Sequence, residues 1–331
     1  MERDARIYVA GHRGLVGSAL LRRLQAAGYR TLITRTRAEV DLTNQGAVRA
    51  LFDAERPDYV FLAAAKVGGI RANDTYPAEF IHANLAIQTN ILHESWRAGV
   101  KRLLFLGSSC VYPRDCPQPI REEFLLTGPL EPTNRPYAVA KIAGIEMCWA
   151  YNRQLGTRFL VAMPTNLYGP GDRYDPENAH VIPALIRRFH EARERRDERV
   201  LVWGTGTPRR EFLYSDDLAE ACVFLMTLPE DRFDPLLARD RNAGVPPLVN
   251  IGLGRDLTIR ELAAMIARVV GYEGRIDFDP KRPDGTPRKL LDVSRLDALG
   301  WRARVEFGDG LRAAYADFLK AEQAQVLQEA R

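Results

Sequence analysis

Short β-branched or apolar runs, RIYVA at 6–10, TLITR at 31–35, YVFLAAA at 59–65, RLLFLG at 102–107 and RFLVAM at 158–163, alternate with stretches of helical periodicity. Runs with so little polar face are expected to lie buried on both sides, and the intervening helices supply the crossovers that parallel strands require. The pattern predicts an α/β fold with a doubly wound parallel sheet. Helices are expected over 14–27, 45–55, 77–98 and 137–155. The last two, which contain FIHANLAIQTNIL and AVAKIAGIEMCWAY, are apolar around much of their surface. They should therefore be covered twice, by the sheet and by a second copy of the chain, which predicts a homodimer.

GHRGLVGS at 11–18 follows the first run directly and opens the first helix. In that context Gly11 permits the tight turn, Gly14 lets backbone approach a pyrophosphate, and Gly17 allows close helix-to-strand packing, while the helix N-terminus favours the anion. This predicts a Rossmann-type dinucleotide-binding domain over residues 1–165. The second strand ends in TRTRAE, without the acidic residue that would bond a ribose 2′-hydroxyl. Arg35 and Arg37, with Arg13 inside the glycine loop, could instead surround a 2′-phosphate with guanidinium forks, which favours NADP over NAD. Asp41-Leu42 ahead of the second helix reads equally as an adenine contact or as an ordinary N-cap pattern.

After about residue 165 the texture changes. The loops PTNLYGPGDRYDPENAH, WGTGTPRREF and PDGTPRK separate shorter helices and strands, and loops of that length inside a compact protein are more often binding surfaces than linkers. A smaller α/β substrate-binding region is expected over 166–331, with some segments returning to the sheet and a helix from about 310 that frays at its end.

Composition removes other classes. Charged residues are 27% of the chain and the formal net charge is only +4. The densest basic stretch, RRFHEARERRDER at 187–199, is interleaved with acids and reads as a solvated helix face rather than a nucleic-acid patch. No stretch reaches the roughly 18 apolar residues of a membrane helix and the N-terminus lacks a signal-peptide run, so a cytoplasmic protein without membrane contact is expected. The four cysteines, 110, 116, 148 and 222, have neither CxxC spacing nor a histidine partner pattern. Neither a metal site nor a disulfide framework is expected.

In RPYAVAKIAG, Tyr137 and Lys141 lie four apart and stack on one helix face, with Pro136 suited to a first helical position. A lysine ammonium beside a phenol should lower the tyrosine's pKa towards neutrality. Ser108, at the carboxyl end of the fourth strand, would hold a reacting oxygen on the edge where open α/β sheets bind ligands. Two residues on, Cys110 is ambiguous: on composition alone a strand-end thiol is more often packing than chemistry.

GxxGxxG, a strand-end Ser-Ser and YxxxK in this order resemble the extended short-chain dehydrogenase/reductase family. AAAKVGGI at 63–70, GSSCVYP at 107–113, EPTNRPYAVAKIAG at 131–144, MPTNLYGP at 163–170, HVIPALIRRFH at 180–190 and WGTGTPRREFLY at 203–214 narrow the likeness to family members that epimerise and reduce a GDP-sugar. The resemblance implies NADPH-dependent conversion of GDP-4-keto-6-deoxy-D-mannose to GDP-L-fucose, by epimerisation at carbons 3 and 5 and reduction at carbon 4. It implies Cys110 as base and His180 as acid for the epimerisations, with Ser108 and Tyr137 on the carbonyl oxygen and Lys141 beside them. Chemically, a thiol's pKa falls near cations and that of histidine spans neutral pH. His180 could equally just start its helix.

By the same resemblance the cofactor would be held by Gly11, His12, Arg13, Gly14, Leu15, Val16, Gly17, Arg37, Asp41, Leu42, Leu106, Gly107, Lys141, Pro164, Asn166, Leu167 and His180. The GDP-sugar would be held by Arg188, Trp203, Arg210 and Asp284, with Arg187 and Arg209 as neighbours that could take the arginine roles instead. Arg282 stands where the family often has lysine. Related dehydratases carry an Asp-Glu pair where this chain has Ser109 and Cys110, which argues against dehydration. A 4-epimerase that recycles a tightly held NAD would want an acidic second strand end, and an idle cofactor-binding protein should have lost one of Ser108, Tyr137 and Lys141; neither matches this sequence.

Overall fold

The computed structural model describes residues 1–175, 179–240, 244–282 and 284–329. Residues 176–178 of the first long loop, Pro283 of PDGTPRK and the chain end at 330–331 lie outside the described residues. The first half runs β1 (Ile7–Ala10), α1 (Leu15–Ala26), β2 (Leu32–Ile33), α2 (Gln45–Glu55), β3 (Tyr59–Leu62), α3 (Ile70–Thr75), α4 (Pro77–Arg97), β4 (Arg102–Leu106), α5 (Arg135–Leu155) and β5 (Phe159–Pro164). The second half adds β6 (Asn166–Tyr168), α6 (Val181–Arg195), β7 (Arg199–Trp203), β8 (Arg209–Arg210), β9 (Phe212–Tyr214), α7 (Ser215–Thr227) and α8 (Glu230–Phe233). It closes with β10 (Leu248–Ile251), β11 (Leu257–Thr258), α9 (Ile259–Val270), β12 (Arg275–Asp279), β13 (Arg288–Lys289), α10 (Ser294–Ala298) and α11 (Phe307–Glu329).

The central sheet has six strands in the order β10-β5-β4-β3-β1-β2, every pairing parallel. Every residue of β1, β3, β4, β5 and β10 is buried, as expected for a sheet with helices on both faces. The chain leaves β1 outwards to β2 and returns to β3 on the other side, so the order reverses between β1 and β3, where ligands sit in such sheets. Strand β2 is shorter than its sequence suggested: Thr34 and Arg35 lie past its end, and Arg35 ion-pairs with Glu55 at the end of α2.

Helices α1 and α7 pack on one face and α4 and α5 on the other. Close approach is bought by glycine at two positions. A Cβ on Gly17 would lie 2.1 Å from the Gly11 carbonyl oxygen, so α1 can seat on the turn after β1 only with no side chain there. A Cβ on Gly144 would lie 2.6 Å from the Phe105 ring, so the same holds for α5 against β4. That second contact sets the height of α5 over the strand end.

A separate apolar cluster forms between α6, α9 and α11 around Phe189, Leu262 and Phe318, with Tyr168 and Phe212 beneath it. It is edged by the small sheets β11-β8-β13, β12-β7 and β6-β9. Helix α9 begins with a capping box, Thr258 accepting from the Glu261 amide while Glu261 returns to the Thr258 amide.

The glycine contacts give a differential expectation. Gly17→Ala should cost about 1–3 kcal/mol through overpacking. Gly14→Ala, where the nearest atom to a Cβ is the Gly11 oxygen at 3.5 Å, should stay within about 0.5 kcal/mol of the parent. Denaturant unfolding of both variants measures the contrast.

Candidate functional site

All the parallel strands end on one edge, so the turn after β1, the serines after β4 and the segment after β5 meet there. Gly11 takes φ +84° and Gly14 is the N-cap of α1. No side chain caps the first turn of α1 and no acid stands in it, so its amides remain free for an anion. A Cβ on Gly11 would meet Ala64 backbone at 2.7 Å, whereas one on Gly14 would make only an ordinary contact with the Gly11 oxygen at 3.5 Å. The His12 Nδ1 atom is buried without a hydrogen-bond partner, and burial with Arg13 nearby holds its imidazolium below the usual histidine range. An open glycine, free helix amides and an orphaned ring nitrogen are what a dinucleotide phosphate would satisfy.

Of the arginines assigned to a 2′-phosphate, Arg37 is exposed, with only Asp41 near it at 3.7 Å. Arg35 is withdrawn: its guanidinium is committed to Glu55 and to the Thr34 carbonyl. Asp41 does not cap α2. Asn44 does, accepting from the Ala47 amide at 3.0 Å, while Asp41 accepts from the amide and hydroxyl of Thr43 at 2.9 and 2.8 Å. Leu42 packs at the margin of the core, and its carbonyl accepts from Asn90 of α4.

Beyond Leu106 the chain turns into a short 3-10 segment, with Ser108 at its N-cap accepting from the Cys110 amide at 3.5 Å. Helix α5 starts at Arg135 with proline in its first turn, and Tyr137 and Lys141 descend over Ser108. The serine hydroxyl lies beside the Tyr137 phenol and the Cys110 thiol, where it favours the ionised form of each against burial. The Lys141 ammonium donates to the Leu106 carbonyl at 2.8 Å and lies 4.6 Å from the centre of the Phe105 ring and 5.8 Å from that of Tyr137.

The protonation states differ from the sequence expectation. Burial, reinforced by Cys110, pushes the Tyr137 phenol far above its ordinary range. Burial also brings Lys141 down to about 8. The lysine's nearest partners are a carbonyl and a ring, so both groups lose more hydration than they gain from each other. Cys110 likewise moves up: burial outweighs the opposing pull of Lys289, the Ser108 hydrogen bond and Lys141.

After β5, Pro164 closes the strand, Asn166 donates to the Glu211 carbonyl at 2.8 Å and Leu167 packs against the core. His180 is the N-cap of α6, solvent-accessible, and partial desolvation lowers its pKa. Its ring makes no hydrogen bond among the described residues.

The arginine alternatives separate by occupancy. Arg187 is held by Glu191 at 2.6 Å and the Tyr174 carbonyl at 3.0 Å. Arg188 donates once, to the Leu201 carbonyl, and its guanidinium lies 5.6 Å from the centre of the Trp203 ring. Arg282 approaches the same ring at 4.9 Å, and Trp203 is 57% exposed. Arg209 is clamped to Asp256 at 2.8 Å together with Arg288 at 2.5 Å, whereas Arg210 bonds only the Arg209 carbonyl. Asp284 is engaged: it accepts from the amide and hydroxyl of Thr205 at 2.7 and 2.8 Å, fixing the turn after Trp203.

Two residues absent from the sequence reading shape this place. Glu211 is fully buried and accepts from the amides of Leu253, Gly254 and Leu291 at 2.6, 2.7 and 3.0 Å. Lys289 shares a cavity wall with Cys110. Neither stands in a local pattern that would single it out.

A glycine-rich turn, a strand-end serine and a Tyr-Lys helix on the carboxyl edge of a doubly wound sheet define a dinucleotide-binding fold of the Rossmann type. The chain belongs to the NAD dependent epimerase/dehydratase family, whose model matches residues 7–236. It is 56% identical to GDP-L-fucose synthase 1 of Arabidopsis thaliana over 96% of this chain and 94% of that protein. It is 53% identical to the GDP-L-fucose synthase of Escherichia coli (strain K12) over 95% of this chain and 97% of that one. Among solved structures, a GDP-mannoheptose C4 reductase from Campylobacter jejuni with NADP bound is similar, with TM-score 0.85 and 38% identity over 96% of this chain and 99% of that one. Among the described residues no helix is long and apolar enough to cross a membrane, and no group of three or more His, Cys, Asp or Glu could hold a metal ion.

The buried lysine makes a signed pH expectation. Below about 8 folded and unfolded chains both carry the Lys141 proton, and the fold bears the whole cost of burying the charge. Between about 8 and the ordinary 10.5 the unfolded chain holds more protons, so this group's contribution to stability rises with pH. The Tm of Lys141→Met relative to the parent should therefore fall as pH is raised from 7 to 10. A pH-independent difference would mean that the ammonium is not desolvated.

Proposed function

We propose that the protein catalyses the NADPH-dependent conversion of GDP-4-keto-6-deoxy-D-mannose to GDP-L-fucose, epimerising carbons 3 and 5 and then reducing carbon 4. The observation that carries the reading is the thiol of Cys110 beside Ser108, whose hydroxyl accepts from the Cys110 amide at 3.5 Å, and below the Tyr137 and Lys141 helix. A reductase alone needs the hydroxyl, phenol and lysine; a group that removes a proton from carbon is the extra element. The reading is supported by the identity to the Arabidopsis and Escherichia coli enzymes and by the NADP-bound Campylobacter structure.

Residues 1–165 hold most of NADPH, with Asn166, Leu167 and His180 added from the second half, and 166–331 supply the sugar side. The turn from Gly11 to Gly17, with His12, Arg13, Leu15 and Val16, receives the pyrophosphate on free helix amides. Arg37 takes the 2′-phosphate, Asp41 and Leu42 face the adenosine, and Leu106, Gly107, Pro164, Asn166, Leu167, Lys141 and His180 surround the nicotinamide end. Bound NADPH supplies the hydride for carbon 4. Arg188 and Arg210 bind the diphosphate and Trp203 the base; Asp284 holds the Thr205 turn behind them.

For each epimerisation Cys110, as thiolate, removes the proton next to the ketone and becomes a neutral thiol, while electrons move onto the carbonyl oxygen. Ser108 and Tyr137 donate hydrogen bonds to that oxygen. His180 as imidazolium returns a proton to the opposite face, and both groups reset through solvent. The raised phenol pKa suits the final step, because Tyr137 arrives protonated and gives its proton to the carbon 4 oxygen. Lys141 then faces the phenolate at the distance already built.

The homodimer rests on α4 and α5, which pack side by side and leave Trp96, Val139 and Leu155 exposed. A cytoplasmic location accords with a nucleotide-sugar substrate and a reduced dinucleotide.

Incubation with NADPH and GDP-4-keto-6-deoxy-D-mannose, with NMR identification of the product, tests the function; tightly bound NAD and no net NADPH oxidation would oppose it. Cys110→Ser should lose at least about 100-fold in solvent deuterium uptake at carbons 3 and 5 and keep NADPH binding. Undiminished exchange would remove the thiol from the mechanism.

A further inference from the structure

The wall opposite Cys110 is made by a strand that the glycine loop and α5 do not reach. Strand β13 pairs with β8, placing Lys289 beside Arg210 and Arg288 beside Arg209. It is pinned on both sides of Lys289. Before it, Arg288 grips Asp256 at 2.5 Å. After it, the Leu290 amide donates to Gln118 at 2.9 Å, its carbonyl accepts from the Ile120 amide at 2.7 Å, and the Leu291 amide donates to Glu211. The Lys289 side chain therefore has a fixed root, and it lines a cavity of about 30 Å³ with Cys110, Glu131 and Asn134.

This cavity holds polar groups without partners. The Asn134 Oδ1 atom is buried and accepts no hydrogen bond, and Glu131 Oε2 is buried with only the Arg114 guanidinium near it, at 3.5 Å. The Lys289 ammonium makes no hydrogen bond or ion pair among the described residues. A desolvated cation without a counterion is costly, and sites keep such groups where an anion forms during function. Glu131 already faces Arg114, and the Cys110 thiol in the same lining becomes an anion during the proposed chemistry.

We propose that Lys289 is a positioning residue for Cys110, its ammonium facing the sulfur across the shared cavity and stabilising the thiolate that removes protons from the sugar. The inference rests on the role proposed for Cys110 above. When the thiolate takes a proton from carbon, the sulfur becomes neutral and the ammonium loses its counterion. When the thiol gives that proton to solvent, the pair re-forms. Cysteine and lysine thus titrate as a coupled pair.

Every charged or titratable neighbour acts with a definite sign. Around Cys110, Lys289, Lys141 and the Ser108 hydroxyl favour the thiolate, against burial; the Tyr137 phenol lies beside the same hydroxyl and adds no charge while protonated. Around Lys289, Cys110, Cys116 and Glu131 favour the ammonium, while burial and Arg210 oppose it. Arg288 and Arg114 line the same cavity with their charges engaged by Asp256 and Glu131. Removing Lys289 therefore removes the leading cation acting on the sulfur.

The test is the pH titration of thiolate absorbance near 240 nm in the full-length enzyme, each trace taken as the difference from the same protein carrying Cys110→Ser. Lys289→Met should raise the thiolate midpoint by about one pH unit, and Lys289→Arg should restore it. The alkaline rise of solvent deuterium uptake should move by the same amount. If Lys289→Met folds poorly, Lys289→Gln gives the same comparison. An unchanged midpoint in a charge-removing variant that still binds NADPH, or a raised KM with an unmoved pH profile, overturns the proposal and leaves Lys289 as a substrate contact. Cys110→Ser with full deuterium uptake would instead overturn the role of the thiol while leaving the midpoint comparison intact, so the two failures are distinguishable.

Discussion

The Glu211 carboxylate is the joint between the two halves of the site. It lies fully buried and accepts amides from the loop after β10 and from the segment after β13, while its own carbonyl takes the Thr165 hydroxyl and the Asn166 amide at the end of β5. One residue thus fixes the exit of the central sheet, the strand bearing Arg210 and the strand bearing Lys289. Burial raises its pKa and the three amides pull it back, so the fold satisfies the carboxylate through backbone groups that would otherwise be orphaned. The cofactor edge and the sugar-facing loops meet at this hub, beside the apolar cluster that joins α7 to the central sheet.

The central fold was legible because its determinants are local and strong. Runs such as FLVAM and LLFL have no face to offer water, and the glycine loop stands directly between a strand and a helix. Helix ends fell within one or two residues of expectation, since Pro77, Gly156 and the proline of α5 mark them. What could not be read was the short β2 and the fate of Arg35: its partner Glu55 lies 20 residues on, beyond any pairing a local pattern discloses. Lys289 was hidden for the same reason, its strand being placed by a Gln118 contact 172 residues away.

The site chemistry was legible in composition but not in balance. Ser108, Tyr137 and Lys141 meet as their order suggested, and Cys110 lies among them. The sequence placed the lysine beside the phenol, yet it named no cation for the thiol and could not weigh burial. In the folded chain desolvation outweighs each pairwise attraction, raising the phenol and thiol and lowering the lysine. Asp284 illustrates a milder gap: its carboxylate accepts from the Thr205 amide and hydroxyl and so shapes the turn after Trp203.

Strand β8 consists of two arginines in succession, and the pleat sends them to opposite sides. Arg209 goes to Asp256 and Arg210 towards the cleft. Identical side chains thus acquire different duties from parity alone. Point substitution in the preceding turn leaves that division intact, whereas loss or gain of a single residue would exchange the two. The length of WGTGTP therefore decides which of the two arginines faces Asp256.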